Sequence, residues 1–164
     1  MKKYLASLML LTISLTGCGF HLQHETEVPT RFKTMSYMSH DPYGQLSRDI
    51  KELLRDNHVT LTNNEASQNH PVLKVVRDSM DRSTISIYKD GKAAEYQLVL
   101  TVETQIIIEN EKIYPINVRV FRTFFDNPSA ALAKTTEQDL IEDEMYMEAA
   151  KQIIRKLKSV DAVN

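Results

Sequence analysis

The feature that most constrains this chain is a sustained two-residue alternation running from Glu95 to Ile108. Tyr96, Leu98, Leu100, Val102, Ile106 and Ile108 are apolar, while Glu95, Gln97, Thr101, Glu103 and Gln105 between them are polar. Successive strand side chains point to opposite faces, so the pattern predicts a long strand with one buried and one wet face. Just before it, Lys89-Asp90-Gly91-Lys92 reads as a hairpin turn, because Asp-Gly supplies the positive φ angles of a tight primed turn. The stretch leading into that turn carries Leu73 and Val75, with Ile85 and Ile87 at the same parity, and charged residues between them. It is expected to be the partner strand. After a second turn over 109–112, Tyr114, Ile116, Val118 and Val120 repeat the alternation up to Phe125. Pro115 has no N–H to give, so it is expected at a sheet edge or a bulge.

Helical periodicity flanks these strands. Asp41-Pro42 suggests an N-cap followed by proline in the first helical position, and Leu46, Ile50, Leu53 and Leu54 then form one apolar face ending near Asn57. At the other end, Thr135 and Gln138 have capping-box spacing, and Ile141, Met145, Ala149, Ile153 and Leu157 recur every four residues. Acids crowd the start of this helix and bases its finish, complementing the helix dipole. Arg31 to Ser36 reads as a weak strand, His58 to Leu61 as a short extended piece, 63–70 as a polar loop and Asp126-Asn127-Pro128-Ser129 as a breaker. The order strand, helix, three strands, helix predicts an α+β two-layer sandwich. Two helices would pack on one face of a four-stranded, mostly antiparallel but mixed sheet, its first crossover right-handed.

The leading residues predict export. Lys2 and Lys3 precede a mostly apolar run from Tyr4 to Leu15, too short for the roughly 20 residues of a membrane span. Leu15-Thr16-Gly17-Cys18 then matches a lipobox: small residues before the cut, and a thiol to carry lipid. The expected organisation is a signal peptide over 1–17, a lipidated tether over 18–30 and a single domain over 31–164. Cys18 is the only cysteine, so no intrachain disulfide can form. Several acyl chains on it would anchor firmly where one would not, each buried methylene contributing ~0.8 kcal/mol. Gly19, where Asp would signal inner-membrane retention, points to the outer membrane.

Removing 17 of 164 residues leaves 147, enough for one core. Without the two signal lysines, 18 Lys and Arg face 22 Asp and Glu, so any polyanion site must be a local patch, and a general nucleic-acid binder is excluded. The four glycines build no phosphate loop. His21, His24, His40, His58 and His70 fall in the tether, in loops or at element ends, with no i, i+4 zinc pair. No nucleophile–base set, metal site or cofactor is expected, and the chain does not read as an enzyme.

Several stretches together resemble a known family. Cys18-Gly19-Phe20-His21-Leu22, the hairpin Lys89 to Lys92 with Ala94-Glu95-Tyr96-Gln97, and Ile113-Tyr114-Pro115-Ile116 look like the LPS-assembly lipoproteins of the LptE family. The most specific part is Val120-Phe121-Arg122-Thr123-Phe124-Phe125-Asp126-Asn127-Pro128 with Ala131-Leu132-Ala133-Lys134. Glu144-Met145-Tyr146 and Ile153-Ile154-Arg155-Lys156-Leu157 extend it into the last helix. Between Thr26 and Leu73 the likeness is weakest. The resemblance implies a four-stranded sheet with two helices, a complex with the β-barrel protein LptD, a place largely inside that barrel in the outer membrane, and help in folding it. It also implies lipopolysaccharide binding and delivery to the outer leaflet.

A lipopolysaccharide binder needs cations beside apolar surface, because lipid A carries phosphates and acyl chains. Lys89 and Lys92 at the hairpin, Arg77 and Arg82 on the strand leading to it, and Lys134 before the last helix are the candidates. Phe121, Phe124, Phe125 and Arg122 are candidates for a partner surface, since one parity of that strand must point away from the helices. The competing expectation is a free periplasm-facing lipoprotein that binds another lipid or envelope polymer.

Overall fold

The computed structural model describes residues 28–62, 70–108, 113–126 and 131–160, with side chains in the last helix from 135 onward. The signal peptide, the lipobox with Cys18 and most of the tether lie outside the described residues.

A 3-10 turn over Thr30–Phe32 leads into β1 (Thr34–Ser39), followed by α1 (Gln45–Asp56) and β2 (Thr60–Thr62). Three long strands follow, β3 (Val72–Ile87), β4 (Ala93–Ile107) and β5 (Tyr114–Phe125), and then α2 (Ala131–Val160). The sheet therefore has five strands, not the expected four, in the order β2-β1-β3-β4-β5. The short extended piece expected around His58–Leu61 is the fifth: it begins two residues later, after His58 turns the chain at φ 59°, and pairs parallel with β1. β1 also runs parallel to β3, whereas β3–β4 and β4–β5 are antiparallel, so the sheet is mixed.

β4 carries the alternation as read. Leu98, Leu100, Val102 and Ile106 are buried beneath the helices. Thr104 shares their parity and is also buried; its hydroxyl donates to the Ile116 carbonyl at 2.8 Å, which satisfies the polar group. Opposite them lie Ile116, Val118, Val120 and Phe124 of β5. Pro115 lies at the start of β5, an edge strand.

The parity expected for β3 is wrong beyond Val75. Register shifts between Val75 and Arg77, and again from Thr84 to Ile87, rephase the strand. Each bulge inserts a residue and sends the next side chains to the other face. Leu73 and Val75 stay in the core, but Ile85 and Ile87 are exposed.

The helix starts also differ from expectation. α1 begins at Gln45 behind Gly44. Asp41 does not cap it; its Oδ1 instead accepts the N–H groups of Tyr43 and Gly44, holding the preceding turn. A Cβ on Gly44 would crowd the Asp41 carboxylate, which would have to shift to admit it. α2 begins at Ala131, so Thr135 lies inside the helix and not at its cap. Its apolar stripe is as read: Met145, Ala149, Ile153 and Leu157 are fully buried. Both helices cover one sheet face, meeting each other and, through α2, strands β4 and β5.

Candidate functional site

Two of the residues singled out for chemistry, Lys89 and Lys92, lie at the tip of the β3–β4 hairpin. The turn closes through the Tyr88 N–H to the Lys92 carbonyl at 2.8 Å and the Gly91 N–H to the Tyr88 carbonyl at 2.9 Å. Gly91 takes φ +83°, a conformation that costs a side-chain-bearing residue energy. Tyr88 ties the tip to the end of β5, its hydroxyl donating to the Asp126 carbonyl at 3.0 Å.

The five basic candidates are not one patch. Lys89 and Lys92 are exposed at the turn, and the Lys92 ammonium lies 3.3 Å from the Asp90 carboxylate. Arg82 stands on the helix-covered side of the sheet, its guanidinium 4.8 Å from the centre of the Tyr96 ring. Tyr96 in turn packs on Phe124 with ring centres 5.4 Å apart. Arg77 belongs elsewhere. Because of the bulge it pairs in register with Glu103 on the opposite face, and their side chains form a 2.7 Å ion pair that raises the arginine pKa. Lys134 falls in the first turn of α2, which starts five residues beyond Asp126 and so begins near the same end; its side chain lies outside the described ones.

Register brings in two residues from the partner-surface group. Arg82, Leu98 and Arg122 occupy one row across β3, β4 and β5, and Thr84, Tyr96 and Phe124 occupy the next. Two strand spacings separate the arginines, roughly 10 Å. Two exposed guanidinium groups thus flank an apolar and aromatic floor. No spacing within a single strand could have revealed this row, because it depends on pairing between strands. Phe124 is part of that floor and is 3% exposed, so it leaves the set of candidate partner residues. Phe121 and Phe125 point the other way and are 51% and 71% exposed, forming an apolar strip on the uncovered face.

The arrangement offers cations, aromatic surface and a hairpin tip, which suits binding an amphiphilic anion. Among the described residues, no three His, Cys, Asp or Glu side chains cluster to hold a metal, and no helix is long and apolar enough to cross a membrane. The LptE family profile, described as lipopolysaccharide-assembly, matches residues 32–157. The chain belongs to the LptE family. It is 47% identical to the LPS-assembly lipoprotein LptE of Pectobacterium atrosepticum, over 98% of this chain and 89% of that protein. The LPS-assembly lipoprotein LptE of Yersinia pestis is 44% identical over 98% of this chain and 78% of its own length. Among solved structures, the rare lipoprotein B of Shewanella oneidensis superposes with a TM-score of 0.73 at 35% identity, covering 79% of this chain and 96% of that one. A lipoprotein B from Nitrosomonas europaea shares the fold, with a TM-score of 0.66 at 19% identity over 88% and 94% of the two chains. For an LptE-family chain, the hairpin end described above is where cations and aromatic surface coincide.

Proposed function

We propose that this chain is the lipoprotein subunit of the lipopolysaccharide translocon in the outer membrane. Acyl chains on Cys18 anchor it, and it sits in the lumen of the LptD β-barrel, assists that barrel's assembly and binds lipopolysaccharide for delivery to the outer leaflet. Family membership over residues 32–157 is the observation that carries this reading. The relatives named for LPS assembly support it across 98% of the chain. The site chemistry is compatible. Guanidinium groups at Arg82 and Arg122 and ammonium groups at Lys89 and Lys92 supply donors for phosphate, while the half-buried Tyr96 ring supplies apolar surface beside them.

The test is copurification from detergent-extracted membranes by an affinity tag on this chain. A stoichiometric complex with a large β-barrel protein is the expected result. Recovery of the acylated chain free of any barrel protein would favour a free periplasm-facing lipoprotein that binds another lipid or polymer. Mass spectrometry of the same preparation reads the anchor: an unmodified Cys18 thiol in the processed chain would refute lipidation.

A further inference from the structure

α1 carries an ionisable side chain into the helix layer. Leu46, Ile50 and Leu54 of its apolar face are buried, and Asp49 is buried with them. Asp49 Oδ1 accepts from Gln45, but Oδ2 is out of solvent and has no hydrogen-bond partner among the described residues. The charges acting on this carboxyl come from Arg48 and Glu52 on α1 and from Asp143 on α2. Arg48 is exposed, and its guanidinium donates to the Tyr43 carbonyl and to Gln45 Oε1 instead. β2 also packs on α1, and its three residues, Thr60–Thr62, hold no ionisable group. From β1, the Tyr37 hydroxyl reaches α1 at Ser47, to which it donates at 2.9 Å. Beside Asp143 on α2, Glu142 accepts from Gln138 at 2.7 Å, and Tyr146 senses Asp78, Glu142 and Asp41. A buried, half-satisfied carboxyl on one helix thus faces a carboxylate on the other.

We propose that the α1–α2 interface is a proton-operated latch: it holds most firmly when Asp49 carries a proton, and when Asp49 ionises α1 opens locally while the rest of the domain stays folded. The inference does not depend on the functional reading above. Ionised, Asp49 keeps a charge out of water with one oxygen unmatched, and it is repelled across the interface by Asp143. Opening α1 returns that carboxylate to solvent. Protonated, the group is neutral and Oδ2 becomes a donor, so both costs fall. The direction agrees: burial is the main cause that raises the Asp49 pKa, Glu52 and Asp143 add to it, and Gln45 and Arg48 oppose it. A group with a raised folded pKa contributes stability in acid that is lost as pH rises through that pKa. α1 is the element that yields because of how it is held. Its 12 residues pack on α2 and on the short β2, whereas α2 also packs on β4 and β5. A helix of that length has little stability of its own, so weakening its packing opens it first. Opening uncovers Leu46, Ile50 and Leu54.

The experiment is amide hydrogen exchange of the detergent-solubilised full chain, read by mass spectrometry over α1 and over β4, each rate divided by that of unfolded peptide at the same pH. As pH rises from the ordinary aspartate value of about 3.9 to neutrality, α1 is expected to lose protection while β4 keeps its own. The loss should be about fivefold or more, the equilibrium equivalent of one unmade buried hydrogen bond. Asp49→Asn should hold α1 protection level across the same range. Asp143→Asn should shrink the loss, which keeps the test decisive if the Asp49 variant does not fold. A parent whose α1 protection is indifferent to pH would overturn the proposal. So would an undiminished loss in folded Asp49→Asn or, where that variant does not fold, in Asp143→Asn. Loss of β4 protection in step with α1 would also overturn it, since the opening would then be global.

Discussion

Replacing Asp49 by Asn should stabilise the protein near neutral pH and flatten the pH dependence of its stability. Asp49 lies on α1, only 3% exposed, on the side that meets α2. Gln45 Nε2 donates to its Oδ1 at 2.9 Å, but the buried Oδ2 has no hydrogen-bond partner among the described residues. Burial raises its pKa most; Gln45 and Arg48 oppose the rise, while Glu52 on the same helix and Asp143 on α2 add to it. A buried acceptor left unmade costs about 1–3 kcal/mol, and Arg48 offsets part of this. Asparagine keeps the shape and the bond from Gln45, removes the charge, and leaves an amide N–H2 without an assured partner, so a gain of about 1 kcal/mol is expected. The sign follows from linkage. A carboxyl whose folded pKa is raised binds its proton more tightly in the folded chain, so its contribution is favourable at low pH and is lost as pH rises through the folded pKa. The window opens just above the ordinary aspartate value of about 3.9. Urea unfolding of parent and variant at several pH values reads the difference directly. If the parent-minus-variant stability does not fall with rising pH across that window, Asp49 is not held in a protonation-sensitive site and the reasoning fails.

Ile153→Ala removes a side chain with no exposed surface and should cost about 2–5 kcal/mol; a thermal melt unchanged to within experimental error would mean the α2 face is misassigned. Gly91→Ala meets no neighbouring atom but forces alanine to φ +83°, so about 1–2 kcal/mol of stability should be lost through strain alone. An equal loss in Gly44→Ala, where Asp41 crowds the Cβ position, would point to a different mechanism. Lys89→Glu combined with Lys134→Glu should fold normally, because both residues lie outside the apolar alternation, and substitutions away from special features usually shift stability by no more than ~0.5 kcal/mol. It should also weaken lipopolysaccharide binding by the purified chain, and parent binding should itself decline with added salt. Undiminished binding by the folded variant at low salt would move the site to the Arg82 and Arg122 row.

Where one face of an element alone decides its burial, local periodicity was enough to read the fold. β4 and α2 obey this: counting by two or by four locates Leu98, Leu100, Val102, Met145 and Ile153 in the core. β3 does not. Its bulges carry no glycine to mark them, and Val76 at the first one is identical to Val75 before it, so counting straight through misplaces Ile85 and Ile87. β2 was visible only as an extended piece, because its three residues gain their strand character from pairing with β1. At the start of α1, Asp41 is the right residue type for a cap, yet Pro42 and Gly44 leave room for a separate turn, and the carboxylate serves that instead.

The site was less legible than the fold for a related reason. Lys89, Lys92 and Gly91 announce themselves within a few residues, since turn chemistry is local. Arg77 and Arg82 stand five residues apart and so take opposite faces of β3, and the bulge just before Arg77 decides which face each one takes. It sends Arg77 to Glu103 on one face and Arg82 to Tyr96 on the other. Arg122 joins Arg82 through a register that spans forty residues of chain and two strand pairings. A cation and an aromatic ring acquire a shared role only when pairing sets them side by side. The uncovered strip of Phe121 and Phe125 follows the same rule: neighbours in sequence alternate faces, and Phe124 between them goes to the core. An amphiphilic anion would thus meet charge and aromatic floor on the helix side, while the apolar strip behind remains available to a different surface.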